Sequence, residues 1–213
     1  MSTAFHLETP SLVLRPLALS DTSPILEMSQ EQSARRWLPS QVYRDERHAA
    51  AGVEYLMKQF DLAANPRTNA FVLGIEEKAS GRLIGHVGLS PLFDTVEVGF
   101  GIAESEQGKG HATEAVAWAC AWALEYFSLL AIIGVTDAEN LASQRVLLRS
   151  GFRWKEERMM RFQGVDRPVV IYEIRKNLPN KSLPATRDGC SSSASRFTSF
   201  GPACLSSERR EKS

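Results

Sequence analysis

The run Gln107-Gly108-Lys109-Gly110-His111-Ala112-Thr113 joins two glycines to the start of an apolar helical segment. Glycines let a backbone turn sharply and approach a ligand closely. The first turn of a helix leaves its amide N–H groups unpaired and carries the positive end of the helix dipole. Such a combination binds phosphate or diphosphate through main-chain donors, without a cationic pocket. Two familiar phosphate loops do not fit. No Gly-x-x-x-x-Gly-Lys-Ser/Thr occurs, and Ala112-Thr113 follow the Gly-x-Gly where a dinucleotide turn needs a third glycine early in the chain. Nor do His6, His48, His86 and His111 show metal-ligand spacing, so no metal is expected.

The elements that must hold this loop follow from periodicity. Ser11 to Leu17 alternates apolar and polar residues as a strand does, with Arg15 turned away from the Leu12/Leu14 face. Ser20-Asp21 offers a cap for a helix over Thr22–Trp37, which Pro39 stops. A second helix starts at Asp45 and lines up Ala49, Val53, Leu56, Met57 and Phe60. Asn69–Glu76 and Arg82–Leu89, joined by the turn Lys78-Ala79-Ser80-Gly81, read as an antiparallel hairpin, and Thr95–Ile102 as the next strand. After the loop comes a helix apolar nearly all round, in which Trp118 and Trp122 are expected in the core and Cys120 as a buried small hydrophobe. Leu129–Val135 is then a buried strand, and Asn140–Ser150 a short helix closed by Gly151. Phe152–Trp154 and Pro168–Ile174 close the sheet, with Arg161–Pro168 between them as a loop. This order predicts an α+β fold of three layers, α/β/α, around a mixed, mostly antiparallel central sheet with helices on both faces.

Composition sets the outer limits. The chain has 213 residues, 43% of them hydrophobic, enough to bury a real core. Its 25 basic and 25 acidic residues cancel, which removes the blanket positive field of sequence-independent nucleic-acid binding, so no DNA partner is expected. No apolar run approaches the roughly 18–20 residues of a membrane span, and no basic-then-apolar leader opens the chain. Cys120, Cys190 and Cys204 are too scattered for a disulfide framework. A cytoplasmic protein is the expectation. Residues 1–177 form the expected domain. The segment 178–213, with nine serines, six basic and three acidic residues, is expected as a disordered tail.

With those elements in place, the loop resembles the acetyl-CoA diphosphate motif of the GCN5-related N-acetyltransferases (GNAT), Arg/Gln-x-x-Gly-x-Gly/Ala. Gln107, Gly110 and Ala112 fill its three fixed positions. Val96–Ile102 resembles the family's fourth strand, and Asn140-Leu141-Ala142-Ser143 with Gly151-Phe152 resembles its Asn-x-x-Ala/Ser … Gly-Phe stretch. The opening Leu7–Leu17 resembles the subgroup that includes ribosomal-protein N-terminal acetyltransferases.

The resemblance implies a GNAT-like acyl-CoA N-acyltransferase fold. It implies transfer of an acetyl group from acetyl-CoA to an amine, by direct attack in a ternary complex. The acceptor would be a protein N-terminus or a small-molecule amine, and a homodimer is a family-level expectation. The pantetheine arm would pair with the backbone of Phe100, Gly101 and Ile102. The diphosphate would sit on the amides of Gly108, Lys109, Gly110, His111, Ala112 and Thr113, with Lys109 either adding charge or standing solvated. Gly99 and Gly101 would mark where a ligand replaces a neighbouring strand, the alternative being two glycines that weaken a strand or mark a bulge. Asn140 and Ser143 match cofactor- or centre-contacting positions, although Asn140 is equally a helix cap. Glu97 is the implied base, the alternative being an outward-facing strand carboxylate; His86 beside the proposed cleft could serve as base, but reads more simply as a satisfied structural histidine. Leu147 stands where many relatives place an acidic tyrosine, which leaves Ser143 as the substitute. Two other readings stay open: a non-catalytic acyl-CoA-binding module on the same fold, and a nucleotide-binding phosphate loop.

Overall fold

The computed structural model describes residues 5–62 and 65–176. The serine-rich segment 178–213 lies outside them, and so do Cys190 and Cys204. In chain order the elements are β1 (Leu7–Glu8), β2 (Leu12–Pro16), α1 (Thr22–Gln30), α2 (Gln32–Trp37), α3 (Glu46–Leu62), β3 (Phe71–Glu77), β4 (Arg82–Leu92) and β5 (Thr95–Ile102). Then follow α4 (His111–Tyr126), β6 (Ala131–Asp137), α5 (Leu141–Arg149), β7 (Arg153–Phe162) and β8 (Val165–Arg175). The eight strands form one sheet in the order β1-β2-β3-β4-β5-β6-β8-β7. Only β5 and β6 run parallel; every other neighbouring pair is antiparallel.

Register assigns the two faces. Val87, Leu89 and Pro91 of β4 stand opposite Phe100, Val98 and Val96 of β5, so these six share one face. With Leu12, Leu14, Phe71, Leu73 and Ile75 that face packs against Ala115, Val116, Ala119, Cys120, Ala123 and Leu124 of α4. The α5 residue Leu147 joins the same cluster beside Ile132 and Tyr172. The other face carries His86, Gly88 and Ser90 opposite Gly101, Gly99 and Glu97. There α1 lies against β4 and α3 against β3. Helices therefore cover both faces, as the order of elements predicts. On that second face, beyond β5, Ile133, Val135, Val169 and Ile171 form a smaller apolar cluster with Leu92, Met160 and Phe162.

Four local expectations are corrected. The helix over Thr22–Trp37 is two helices, because Glu31 leaves the helical conformation (φ −65, ψ 156). Its carboxylate accepts from the Glu104 amide at 2.9 Å, and the Ser33 amide donates to the Glu104 carboxylate at 2.6 Å. A tertiary clasp has thus replaced one helical turn. Asp21 does not cap α1 with its side chain; the carboxylate holds Arg15 at 2.8 Å and the Ala18 amide at 2.8 Å instead. The stretch Arg161–Pro168 is no loop, since β7 and β8 are long strands joined at Gln163-Gly164, both with positive φ (52 and 85). That is the left-handed two-residue turn that favours hairpins. Trp118 is 43% exposed rather than core. Trp122 does pack inward, stacked on Phe71 with ring centroids 5.4 Å apart.

Candidate active site

The parallel strands β5 and β6 meet at one position, Glu97 opposite Ile133. On its other side β5 stays paired with β4 from Gly85↔Ile102 to Leu92↔Thr95, without a register shift. The alternative of a bulge at Gly99 or Gly101 is therefore gone. Beyond Glu97, the edge of β5 that faces β6 has no strand partner through Phe100, Gly101 and Ile102. On that edge Ile102 O takes the Gln107 carboxamide at 3.2 Å, and among the described residues no strand pairs with the rest, although exposed ladder groups seek partners. A Cβ placed on Gly99 would meet nothing within 4 Å, whereas one on Gly101 would strike His86 Cε1 at 2.8 Å. Leu38, just after α2, stands 3.4 Å from that same point and roofs this face.

Glu97 lies at the fork of the two strands. It has no hydrogen-bond partner among the described residues, and burial lifts its carboxyl from the ordinary 4.5 to about 7. A carboxyl that gives up its proton near neutral pH suits a general base, since efficiency peaks when pKa meets working pH. His86 sits on the same face, opposite Gly101. Burial lowers its imidazole from 6.5 to about 4, which makes it a far weaker proton acceptor than Glu97.

The loop between β5 and α4 takes its shape from glycine. Gly108 and Gly110 adopt φ +78 and +93, and nothing lies within 4 Å of a Cβ at either. Gly110 occupies the N-cap of α4 in the left-handed region, which fixes the direction in which the helix leaves the loop. Among the described residues, the amides of Gly108, Lys109, Gly110, His111, Ala112 and Thr113 make no hydrogen bond to a protein acceptor; the first bond closed there is Glu114 N to Gly110 O at 3.0 Å. These six consecutive amides stand at the N-terminus of a 16-residue helix, an arrangement with the donors an anion needs. Gln107 braces the loop: its carboxamide donates to Ile102 O at 3.2 Å and to Ser33 Oγ at 3.4 Å. The Lys109 ammonium pairs with Glu106 at 2.7 Å while its side chain stays 52% exposed.

On α5, Asn140 accepts from the Ser143 amide at 3.1 Å and so caps the helix. The Ser143 hydroxyl has no partner among the described residues, half-exposed on the first turn. Leu147 is fully buried, with its side chain in the space a Cβ on Gly134 would need, 2.6 Å away. Sequence reasoning missed Glu31, Ser33 and Glu104, which clasp the loop to α2, and Glu106 beneath it. Only the run of acids Glu104 and Glu106 just ahead of an anion-binding motif could have drawn notice. Between α2 and the hairpin, Ser40 Oγ donates to Gln163 Oε1 at 2.6 Å, and Arg36 reaches Glu139 at 3.5 Å.

Residues 11–153 match the family described as acetyltransferase (GNAT) domain. A curated relative, the uncharacterized N-acetyltransferase YnaD of Bacillus subtilis (strain 168), is 26% identical over 150 residues, 70% of this chain and 82% of that protein. Among solved structures, RimL, a ribosomal alpha-N-protein acetyltransferase in complex with coenzyme A, is 15% identical with a TM-score of 0.69, over 80% of this chain and 98% of that one. The microcin self-immunity acetyltransferase MccE, in complex with acetyl-CoA and AMP, is 17% identical with a TM-score of 0.67, over 79% and 94%. At those identities the two structures speak for the fold. No helix among the described residues is long and apolar enough to cross a membrane.

Proposed function

The chain belongs to the GNAT acetyltransferases, which take their acetyl group from acetyl-CoA, and we propose that Glu97 is the base with which it deprotonates an acceptor amine. The observation that supports this most is the single rung Glu97↔Ile133, beyond which β5 and β6 part. The rung puts a carboxyl with a pKa of about 7 at the mouth of a gap with unpaired backbone.

Acetyl-CoA supplies an acyl group already activated as a thioester. The amides of 108–113 hold its diphosphate, and the free edge at Phe100, Gly101 and Ile102 takes the pantetheine amides. Glu97 accepts the amine proton directly or through water, and the amine then attacks within a ternary complex. No covalent enzyme intermediate is needed. Ser143 steadies the departing sulfur by hydrogen bonding, and Asn140 keeps Ser143 in place by capping α5.

The base also favours one kind of acceptor. Moving a proton from an α-amine (pKa about 8) to a group near 7 costs about 1.4 kcal/mol, against ~4.6 kcal/mol from a lysine ammonium. An α-amine, on a protein N-terminus or a small molecule, is the acceptor this site handles best. The test is incubation with acetyl-CoA and panels of amines and peptides while free thiol is followed, beside calorimetry of acetyl-CoA binding. Thiol release with α-amines is expected; silence across the panel together with no binding overturns the proposal. Leu147 in the tyrosine position favours a second reading, a non-catalytic acyl-CoA module. Tight binding without turnover, unchanged in Glu97→Gln, would select it.

A further inference from the structure

Glu106 presents an electrostatic puzzle. It is 5% exposed and stands immediately ahead of a loop whose amides await an anion. A carboxylate there repels a diphosphate unless its charge is taken up elsewhere.

It is taken up by three elements at once. Lys109 Nζ from the loop lies 2.7 Å from Oε2, and Arg82 Nη2 from the first residue of β4 lies 3.2 Å from Oε1. From the first residue of α4, His111 Nδ1 approaches to 3.9 Å, buried and without a hydrogen-bond partner. Ser105 Oγ adds a longer contact to Oε1 at 3.5 Å. The bond from Lys109 leads in holding the Glu106 carboxyl below the ordinary carboxylate range, so it stays ionised at neutral pH. Glu77 brings a second carboxylate within 4.8 Å of Glu106, so with Lys109 and Arg82 the cluster is neutral, and the charge of Glu106 is cancelled rather than presented to the loop.

Glu77, Glu106 and His111 also bring potential metal-ligand atoms within 4.8 Å of one another. Both Glu106 oxygens already hold cationic side chains, however, and a divalent ion would have to expel them. The cluster is an ion-pair hub rather than a cation site.

We propose that Glu106 is the positioning residue of the cofactor loop: its buried carboxylate ties the loop (Lys109) to the sheet (Arg82) beside the start of α4, and so sets affinity for the diphosphate of acetyl-CoA without touching it. This rests on the acetyl-CoA reading above. None of the three fixed motif positions includes Glu106. Loop amides must point at a common centre to hold an anion, and misplacement by about 1 Å can cost up to about a hundredfold.

The experiment compares wild type with Glu106→Gln, Glu106→Asp, Lys109→Met and Arg82→Met by calorimetry with acetyl-CoA and by steady-state kinetics. Glu106→Gln is expected to raise Kd and KM for acetyl-CoA about tenfold and leave kcat at saturation within about twofold. Glu106→Asp should recover part of the loss, and Lys109→Met and Arg82→Met should each show a smaller rise. A merely structural role would lower the melting temperature and the folded fraction without this split. The proposal is overturned if Glu106→Gln binds acetyl-CoA as wild type does, or if kcat falls with KM unchanged. Should Glu106→Gln not fold, wild-type affinity in both Lys109→Met and Arg82→Met overturns it. Failure of wild type itself to bind acetyl-CoA sinks the functional reading instead.

Discussion

Glu97 and Ile133 face each other across the one rung that joins β5 to β6. The carboxyl that burial has raised to about 7 therefore sits where the sheet opens, with paired strand on one side and unpaired backbone on the other. Its charge state connects catalysis to stability.

Glu97→Gln is expected to lower kcat about 10²- to 10³-fold and leave the affinity for acetyl-CoA within about twofold, because it removes the proton acceptor but keeps the shape. In wild type, the base works only when ionised, so kcat/KM for the amine should rise with pH through a midpoint near 7. Thiol release measured from pH 5.5 to 9, at roughly half-unit steps, checks both. An acid limb that persists unchanged in the variant assigns the base elsewhere.

The same substitution should stabilise the fold at alkaline pH. The folded-state value of about 7 lies above the ordinary 4.5, so the fold disfavours the charged form. That cost is absent below the unfolded value, grows through the window between the two, and is full above the folded value. By this account Glu97→Gln gains about 1–3 kcal/mol at pH 8 over wild type and about nothing near pH 4.5. Scanning calorimetry at both pH values would show a melting temperature several degrees higher at pH 8 only. Equal melting points at pH 8 would mean the carboxylate is well solvated.

Gly99→Val separates a ligand slot from a weak strand. Among the described residues nothing lies within 4 Å of a Cβ at this position, so the first carbon of a larger side chain meets no neighbour. Valine suits a strand better than glycine, by about 0.5–1 kcal/mol. The variant should melt no lower than wild type, yet raise KM for acetyl-CoA or the acceptor at least about tenfold, because the methyls occupy the face on which Glu97 stands. Unchanged kinetics would remove Gly99 from the site.

On α5, two neighbouring substitutions should have opposite signatures. Asn140→Ala loses the cap bond to Ser143 and should cost about 1 kcal/mol of stability. Ser143→Ala removes an unpartnered hydroxyl, so stability should hold while kcat falls severalfold. Denaturant unfolding beside thiol-release kinetics tells them apart, and a stable but wild-type-active Ser143→Ala ends its role at the sulfur.

What the sequence made legible was whatever local pattern encodes. The strand Thr95–Ile102 and the helix after Gly110 were readable because alternation, glycine and apolar spacing all act within a few residues. The loop motif was readable for the same reason. Interactions between distant segments were not. Nothing near Glu31 announces that Glu104, 73 residues on, will draw it out of the helix. The length of β7 was hidden because most of its residues are exposed on both faces, so charge replaces alternation and only the turn Gln163-Gly164 marks the hairpin. Trp118 was misplaced because tryptophan's bulk suggests burial, while α4 already fills its buried stripe with Ala115, Val116, Ala119, Cys120 and Ala123. Glu97 as a position was visible, but its proton affinity is a property of burial. Glu106 drew no notice at all, since a lone acid in a sequence carries no sign of the cations that will gather round it.

Leu147, packed with no exposed surface into the hollow at Gly134, closes off one route of redesign. A phenol cannot be grafted there without evicting a leucine and overfilling a tightly packed interior, at about 1–3 kcal/mol or more. A thiol ionises far more readily than an alcohol or water, so the departing thiolate can draw its last proton from solvent. Engineers seeking faster catalysis would gain more at the partly exposed Ser143 than by importing an acid into dry core.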